Sequence, residues 1–154
     1  MLILTSFKTT MSQIATWQNS ITLFSHAVSV TDNNLKTHLN LGAALDNKGQ
    51  TDDAIHQYKQ ALTINKSFYP AWLNLGNAYF KKEMYDKAIF HYYKALELQP
   101  NASVHCLIGI SLGRTGNLKM AIHAFDKALE IHPGLEVALK NKKIAAALLK
   151  SKQK

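Results

Sequence analysis

The stretch Y-P-A-W-L-N-L-G-N-A-Y-F-K-K-E-M-Y-D-K-A-I-F-H-Y-Y-K-A-L-E-L-Q-P, from Tyr69 to Pro100, decides the fold. Trp72, Leu75, Gly76 and Tyr79 fall on one helical stripe, and after a break at Glu83–Tyr85 so do Ala88, Tyr92 and Ala95. The run therefore reads as helix, tight turn, helix, each helix with one apolar face. Small residues (Gly76, Ala88, Ala95) stand where two helices must come close, and large ones (Trp72, Tyr79, Tyr92) fill the space beside them. The pattern recurs. Thirty-four residues upstream stand Leu41, Gly42, Leu45, Ala54, Tyr58 and Ala61. Thirty-three residues downstream stand Ile108, Gly109, Leu112, Ala121, Phe125, Ala128 and Pro133, the lost residue falling at the Asn101–Ala102 junction.

This spacing resembles the tetratricopeptide repeat, which has a 34-residue period and a W-L-G-Y-A-F-P signature. The resemblance implies an all-α solenoid of helix-turn-helix units, a right-handed superhelix closed by a C-terminal capping helix. The expected organisation is a degenerate N-terminal repeat or the stub of a membrane helix over 1–34, repeats over 35–68, 69–101 and 102–135, and a capping helix with a basic tail over 136–154. Within the repeats the helices are expected at about 35–48 and 51–64, 70–82 and 85–98, and 103–115 and 118–131, with Thr51 or Asp52 capping the second. The last helix is expected from Leu135 to Lys150. Val137, Ala138, Ile144, Ala145, Leu148 and Leu149 would cover the third repeat, and lysines 140, 142, 143, 150 and 152 would face water. His38 takes the place of the signature tryptophan and reads as a structural residue.

Composition fits. Hydrophobic residues make up 47% of the 154, enough for a continuous core. The lone cysteine, Cys106, rules out an internal disulfide. The formal charge of +8 comes from seventeen lysines and one arginine, and six lysines against one glutamate lie beyond residue 135. A specific nucleic-acid surface draws on arginine for bidentate contacts; with Arg114 alone, none is expected. The lysine-rich end reads either as a solvated helix or as a weak contact for anionic membrane headgroups or acidic protein.

The N-terminal segment carries a second resemblance. Trp17-Gln18-Asn19-Ser20, Leu23-Phe24, His26-Ala27, Thr31, Asn33-Asn34 and His38-Leu39-Asn40-Leu41-Gly42 are similar to the junction between the last membrane helix and the extracytoplasmic repeat tail of polytopic, O-mannosyltransferase-type membrane proteins. That resemblance implies a detached tail that positions acceptor proteins in a periplasmic or other extracytoplasmic space. The other reading is an ordinary degenerate repeat, its first helix carrying Leu4, Phe7 and Met11 and its second Phe24 and Ala27, in a chain that is cytoplasmic if complete. No apolar span of eighteen residues is encoded, and no signal peptide is apparent.

No catalytic set stands out, and the chain reads as non-enzymatic, without cofactor or metal. No two of the seven histidines are three or four residues apart on one helix edge. His105 and Cys106 are adjacent, so their side chains point about 100° apart, whereas a Cys/His nucleophile needs hydrogen-bonding reach. His56 and His123 read as exposed repeat-derived residues, and Asp52–Asp53 as charge at a helix start. Function is then expected in the surface. In the family the first helices line a concave groove that binds peptide segments. Helical projection directs Lys36, Asn40, Ala43 and Asn47 toward it, then Leu73, Asn74, Asn77 and Lys81, then Cys106, Ile110 and Arg114, with Lys140 and Ile144 closing the end. Asn40 and Asn74 are equivalent positions, similar to the L-N-L-G steps in the tetratricopeptide part of O-GlcNAc transferase. A row of asparagines can donate to a peptide carbonyl and accept from its N–H. The other reading is that they only bond neighbouring helices. The carboxylate clamp of the family's co-chaperones is not matched, because Leu39, Ala43, Ser103 and Leu107 stand where cations and amides are needed. The expected partner is a protein or peptide segment, neutral to acidic.

Overall fold

The computed structural model describes residues 20–30 and 34–152. Among them are eight helices and no strand: α1 (Ser20–Val30), α2 (Leu35–Asn47), α3 (Thr51–Ile64), α4 (Tyr69–Lys81), α5 (Tyr85–Leu98), α6 (Ala102–Arg114), α7 (Leu118–Ile131) and α8 (Glu136–Ser151). The expected first helix over Leu4–Gln13, and the Met1–Leu4 stub, lie outside the described residues. The chain divides into two compact units, Met1–Lys66 and Ser67–Lys154. In the first, α1 packs on α2 and α2 pairs with α3. In the second, α4 pairs with α5 and α6 with α7, α5 packs on α6, and α8 lies on α7 with its edge against α6.

Each pair is closed by a glycine against an aromatic ring. A Cβ built on Gly42 would stand 2.5 Å from a Tyr58 ring carbon, and one on Gly109 2.5 Å from a Phe125 ring carbon. On Gly76 it would run into the ring of Tyr92. The rings pack directly against bare backbone. Tyr92 and Ile108 are fully buried, as are the alanines of the second helices, Ala54, Ala61, Ala88, Ala95, Ala121 and Ala128. Burial of one such large side chain stabilises by about 2 kcal/mol, so the periodic stripe supplies the core.

The helices are joined by one turn used three times. In the first, Gln50 N–H donates to the carbonyl of Leu45 at 3.0 Å and Gly49 N–H to that of Asp46 at 3.0 Å. These are the paired bonds that satisfy a helix's last carbonyls around a left-handed residue. Gly49 and Gly116 supply that residue, with φ +83° and +82°. Glu83 takes the same place in the second turn with φ 58°, where a Cβ is strained. Helix starts are more varied. Asn34 Oδ1 accepts from Thr37 N–H at 3.1 Å, and Asn101 Oδ1 accepts from Ser103 N–H at 2.9 Å. Pro70 occupies the first turn of α4, where no donor is needed.

Three expectations are corrected. The cap position of α3 is Gln50, not Thr51 or Asp52; Thr51 lies one residue inside, and its hydroxyl donates back to Asp46 Oδ1 at 2.8 Å. In α8 only Ala138 and Ala145 are buried, whereas Val137, Ile144 and Leu148 remain 51%, 48% and 50% exposed. The two alanines, seven residues apart, let α8 approach α7 closely and so fix which face turns inward. Val137, Ile144 and Leu148 then lie to one side of that contact. Lys142 does not simply face water: it pairs with Asp126 across the α7–α8 contact at 2.5 Å.

Three outcomes test this frame. Gly76→Leu overfills the helix contact and lowers stability by about 1–3 kcal/mol in urea denaturation. Glu83→Gly relieves the left-handed strain and raises stability by up to about 1 kcal/mol. Burial, with Asp46 adding to it, pushes the Tyr58 phenol up to about 12, and burial raises Tyr92 further. A phenol whose folded pKa is raised contributes stability that is full below pH 10 and is lost as pH rises toward 12. The melting temperature therefore falls above pH 10, and the fall is shallower in Tyr58→Phe.

Candidate functional site

The repeat register sets the order of the exposed residues on the first helices. In α2 of the first unit, Lys36, Asn40 and Asn47 are exposed and Ala43 is half-buried. In α4 of the second unit, Asn77 and Lys81 are exposed, and Leu73 and Asn74 are half-buried. One repeat on, Ile110 is half-buried and Arg114 exposed on α6, and Lys140 is exposed on α8.

The asparagines divide into two kinds. Among the described residues the side chains of Asn40 and Asn74 hold no hydrogen bond, to a neighbouring helix or otherwise. Asn77 is different, because its Oδ1 accepts a hydrogen bond from the Tyr92 hydroxyl at 2.9 Å. Tyr92 is the buried ring packed against Gly76, so Asn77 satisfies the hydroxyl of that ring and keeps its NH₂ for the surface. In the third pair Phe125 replaces Tyr92 and Ile110 replaces Asn77, so donor and acceptor are lost together. In the first pair Tyr58 keeps the hydroxyl while Ala43 stands at Asn77's place, so the sequence alone did not mark Asn77's structural task.

Cys106 does not line the surface. It is 4% exposed, and burial raises its thiol pKa, so the side chain packs within the fold and is a poor nucleophile. The reason is local: α6 lies between α5 and α7 with α8 along its edge, and this crowding covers a position that helical projection alone leaves open. His38 is half-buried, its Nδ1 2.8 Å from Gln57 Oε1, as a structural residue should be. His56 and His123 are exposed. Among the described residues no three of His, Cys, Asp and Glu are grouped to hold a metal, and no helix is long and apolar enough to cross a membrane.

Among the hollows of the second unit, two are lined by several helices. One, of about 320 Å³, is floored by Gly109, Leu118, Phe125 and Ala145 and walled by Ile110, Ile144 and Leu148, with Arg114, Gly113 and Asn141 at its edge. Arg114 makes no ion pair among the described residues. The other, of about 470 Å³, lies between α5, α6 and α7 and is lined by Tyr93, His105, Met120, His123, Lys119 and Lys127. It is larger but less committed in charge: Lys127 is paired with Glu130 at 2.8 Å. Burial, then Lys127, lowers the His105 pKa, so the imidazole stays neutral near pH 7.

Sequence comparison accounts for this architecture. The profile described as "Tetratricopeptide repeat" matches residues 69–101, another so described matches 102–134, and one described as "TPR repeat" matches 47–83. Together they run from residue 47 to 134, more than half of the chain. The chain belongs to the tetratricopeptide repeat family. Solved structures agree. A structure of the MamA protein superposes with a TM-score of 0.76 at 26% identity, over 81% of this chain and 69% of that one. The Cut9 and Hcn1 hetero-tetramer of APC/C gives 0.74 at 28% identity, over 79% of this chain but only 25% of that one. YrrB, described as a repeat protein with an unusual peptide-binding site, gives 0.71 at 24% identity, over 80% and 64%, and at that identity the likeness is one of fold. No curated protein sequence matches the chain. Tetratricopeptide repeats form protein-interaction scaffolds, and that is the class of function this fold carries.

The burial of Cys106 is checked with a maleimide: modification of the native protein is slower by at least about a hundredfold than in denaturant, because the thiol reacts only when α6 opens.

Proposed function

We propose that the chain is a non-catalytic scaffold that binds extended protein segments on the exposed side of the first helices of each unit. The observation that carries this is that Asn40 and Asn74, at equivalent places in consecutive repeats, have no hydrogen-bonding task inside the fold. An amide with no bond inside the fold, on a rigid helix, can accept from a peptide N–H and donate to a carbonyl, which holds a backbone without reading its side chains. The cations of these helices and of α8, Lys36 in the first unit and Lys81, Arg114 and Lys140 in the second, favour a neutral or acidic segment over a basic one. A surface of this size binds at about micromolar affinity unless other sites add to it. The lysine-rich end offers a weaker contact for anionic headgroups, which depends on salt and disappears when 140–154 is removed.

The tail of an O-mannosyltransferase-type membrane protein is the second reading. Its support is the Trp17–Gly42 resemblance, part of which lies outside the described residues. In that setting the same surface would position acceptor proteins.

The scaffold reading is checked by capture from lysate and envelope fractions with the wild-type chain and with the Asn40→Ala, Asn74→Ala double variant. Proteins held by the first and released by the second, at an unchanged melting temperature, are the expected outcome. Equal capture by both removes the asparagines from the binding role.

A further inference from the structure

One coordinate is filled differently in each of the three helix pairs. In the first it holds Asp46 and Thr51, joined by a hydrogen bond of 2.8 Å. In the second it holds Phe80 and Tyr85, packed edge to face with ring centroids 5.4 Å apart. In the third it holds Gly113 and Leu118, and there the 320 Å³ hollow opens. Nothing lies within 4 Å of where a Gly113 Cβ would stand, and its backbone is ordinary helix. Gly42, Gly76 and Gly109 are required by the rings packed on them; Gly113 is required by no contact. A glycine inside a helix weakens it relative to alanine, so Gly113 lowers stability while leaving a space empty.

We infer that this hollow is an anchor pocket for a large aliphatic side chain, leucine, isoleucine or methionine, standing next to an aspartate or glutamate in a partner segment. This rests on the scaffold reading and narrows its partner. The walls are aliphatic: Ile110 on one side, Ile144 and Leu148 on the other, with the Phe125 ring below. Val137, Asn141, Ile144 and Leu148 follow one another at helical spacing, and the apolar three are about half exposed, so the stripe continues the pocket along α8. Polar groups at the rim fix the neighbouring residue. Arg114 stands at the edge without an ion pair among the described residues, ready for a carboxylate. Asn141 donates its amide N–H to the Val137 carbonyl at 2.7 Å, which leaves its Oδ1 to accept from a peptide N–H. Lys140, one residue and about 100° round the helix, is exposed on the flank of the stripe.

Charge selects the occupant. A second copy seated on the stripe would bring two lysine-rich α8 helices together, and like charges across an interface oppose association. An acidic segment meets Arg114 and Lys140 with the opposite sign.

The test uses the full chain and a phage-displayed library of random linear peptides, with enriched sequences then synthesised and titrated. The expected result is enrichment of a large aliphatic residue within one or two positions of Asp or Glu. Gly113→Leu then fills the pocket and weakens those peptides at least about tenfold, with the melting temperature unchanged or raised. Ile144→Glu, at an exposed position, does the same should Gly113→Leu fold poorly. Enrichment without that pattern overturns the pocket. So does unchanged affinity in both variants while Asn40→Ala with Asn74→Ala weakens binding; the scaffold reading then stands alone. Self-association that Gly113→Leu abolishes overturns the occupant in favour of a second copy. No enrichment over a library panned on denatured chain removes pocket and scaffold reading alike.

Discussion

The structure depends on the contact between a backbone with no side chain and a ring packed directly against it. Gly42 under Tyr58, Gly76 under Tyr92 and Gly109 under Phe125 bring the two helices of each pair to a separation that no other residue permits. Once that distance is set, the small residues of the second helices follow, because larger ones would not fit. The position of the ring also fixes helix rotation, which decides which residues face out. The surface is therefore a by-product of three glycines buried well beneath it.

The second constraint lies at the turns. Each pair ends its first helix on a left-handed residue, and two of three use glycine there. Glu83 is the exception, and the turn keeps its form around it because the carbonyl of Tyr79 still receives the Met84 N–H at 2.9 Å. Hydrogen bonds of the turn and packing of the pair agree on one geometry, so a single unfavourable residue is tolerated.

Much of this was legible before any coordinates. The period named the family, and helices predicted from it start and end within one residue of those observed over 35–151. The reason is that glycine, alanine and aromatic positions repeat, and repetition separates signal from chance. What escaped was set by neighbours rather than by period. Cys106 projects toward the surface on an isolated helix, but α6 in place has helices around it. The inward face of α8 has no repeat to compare with, so six apolar residues looked equally fit to be buried, and the two alanines won because they allow close approach. Asn77 looked like one more amide of a row until its bond to Tyr92 separated it from Asn40 and Asn74. Of the surface residues, the exposed amides and cations were legible as types; the hollow beside Gly113 was not, since a glycine in a sequence does not say whether something lies against it.

The alternative fillings at residues 46 and 51, 80 and 85, and 113 and 118 have an evolutionary consequence. A hydrogen bond, an aromatic edge and an open space occupy the same place without altering the glycine–ring contact below. Recognition can then diversify by exchange of two residues at a time, in any repeat, on a scaffold that does not register the change. Such a chain keeps its architecture under one set of selective pressures and its preferences under another, and the two can drift apart.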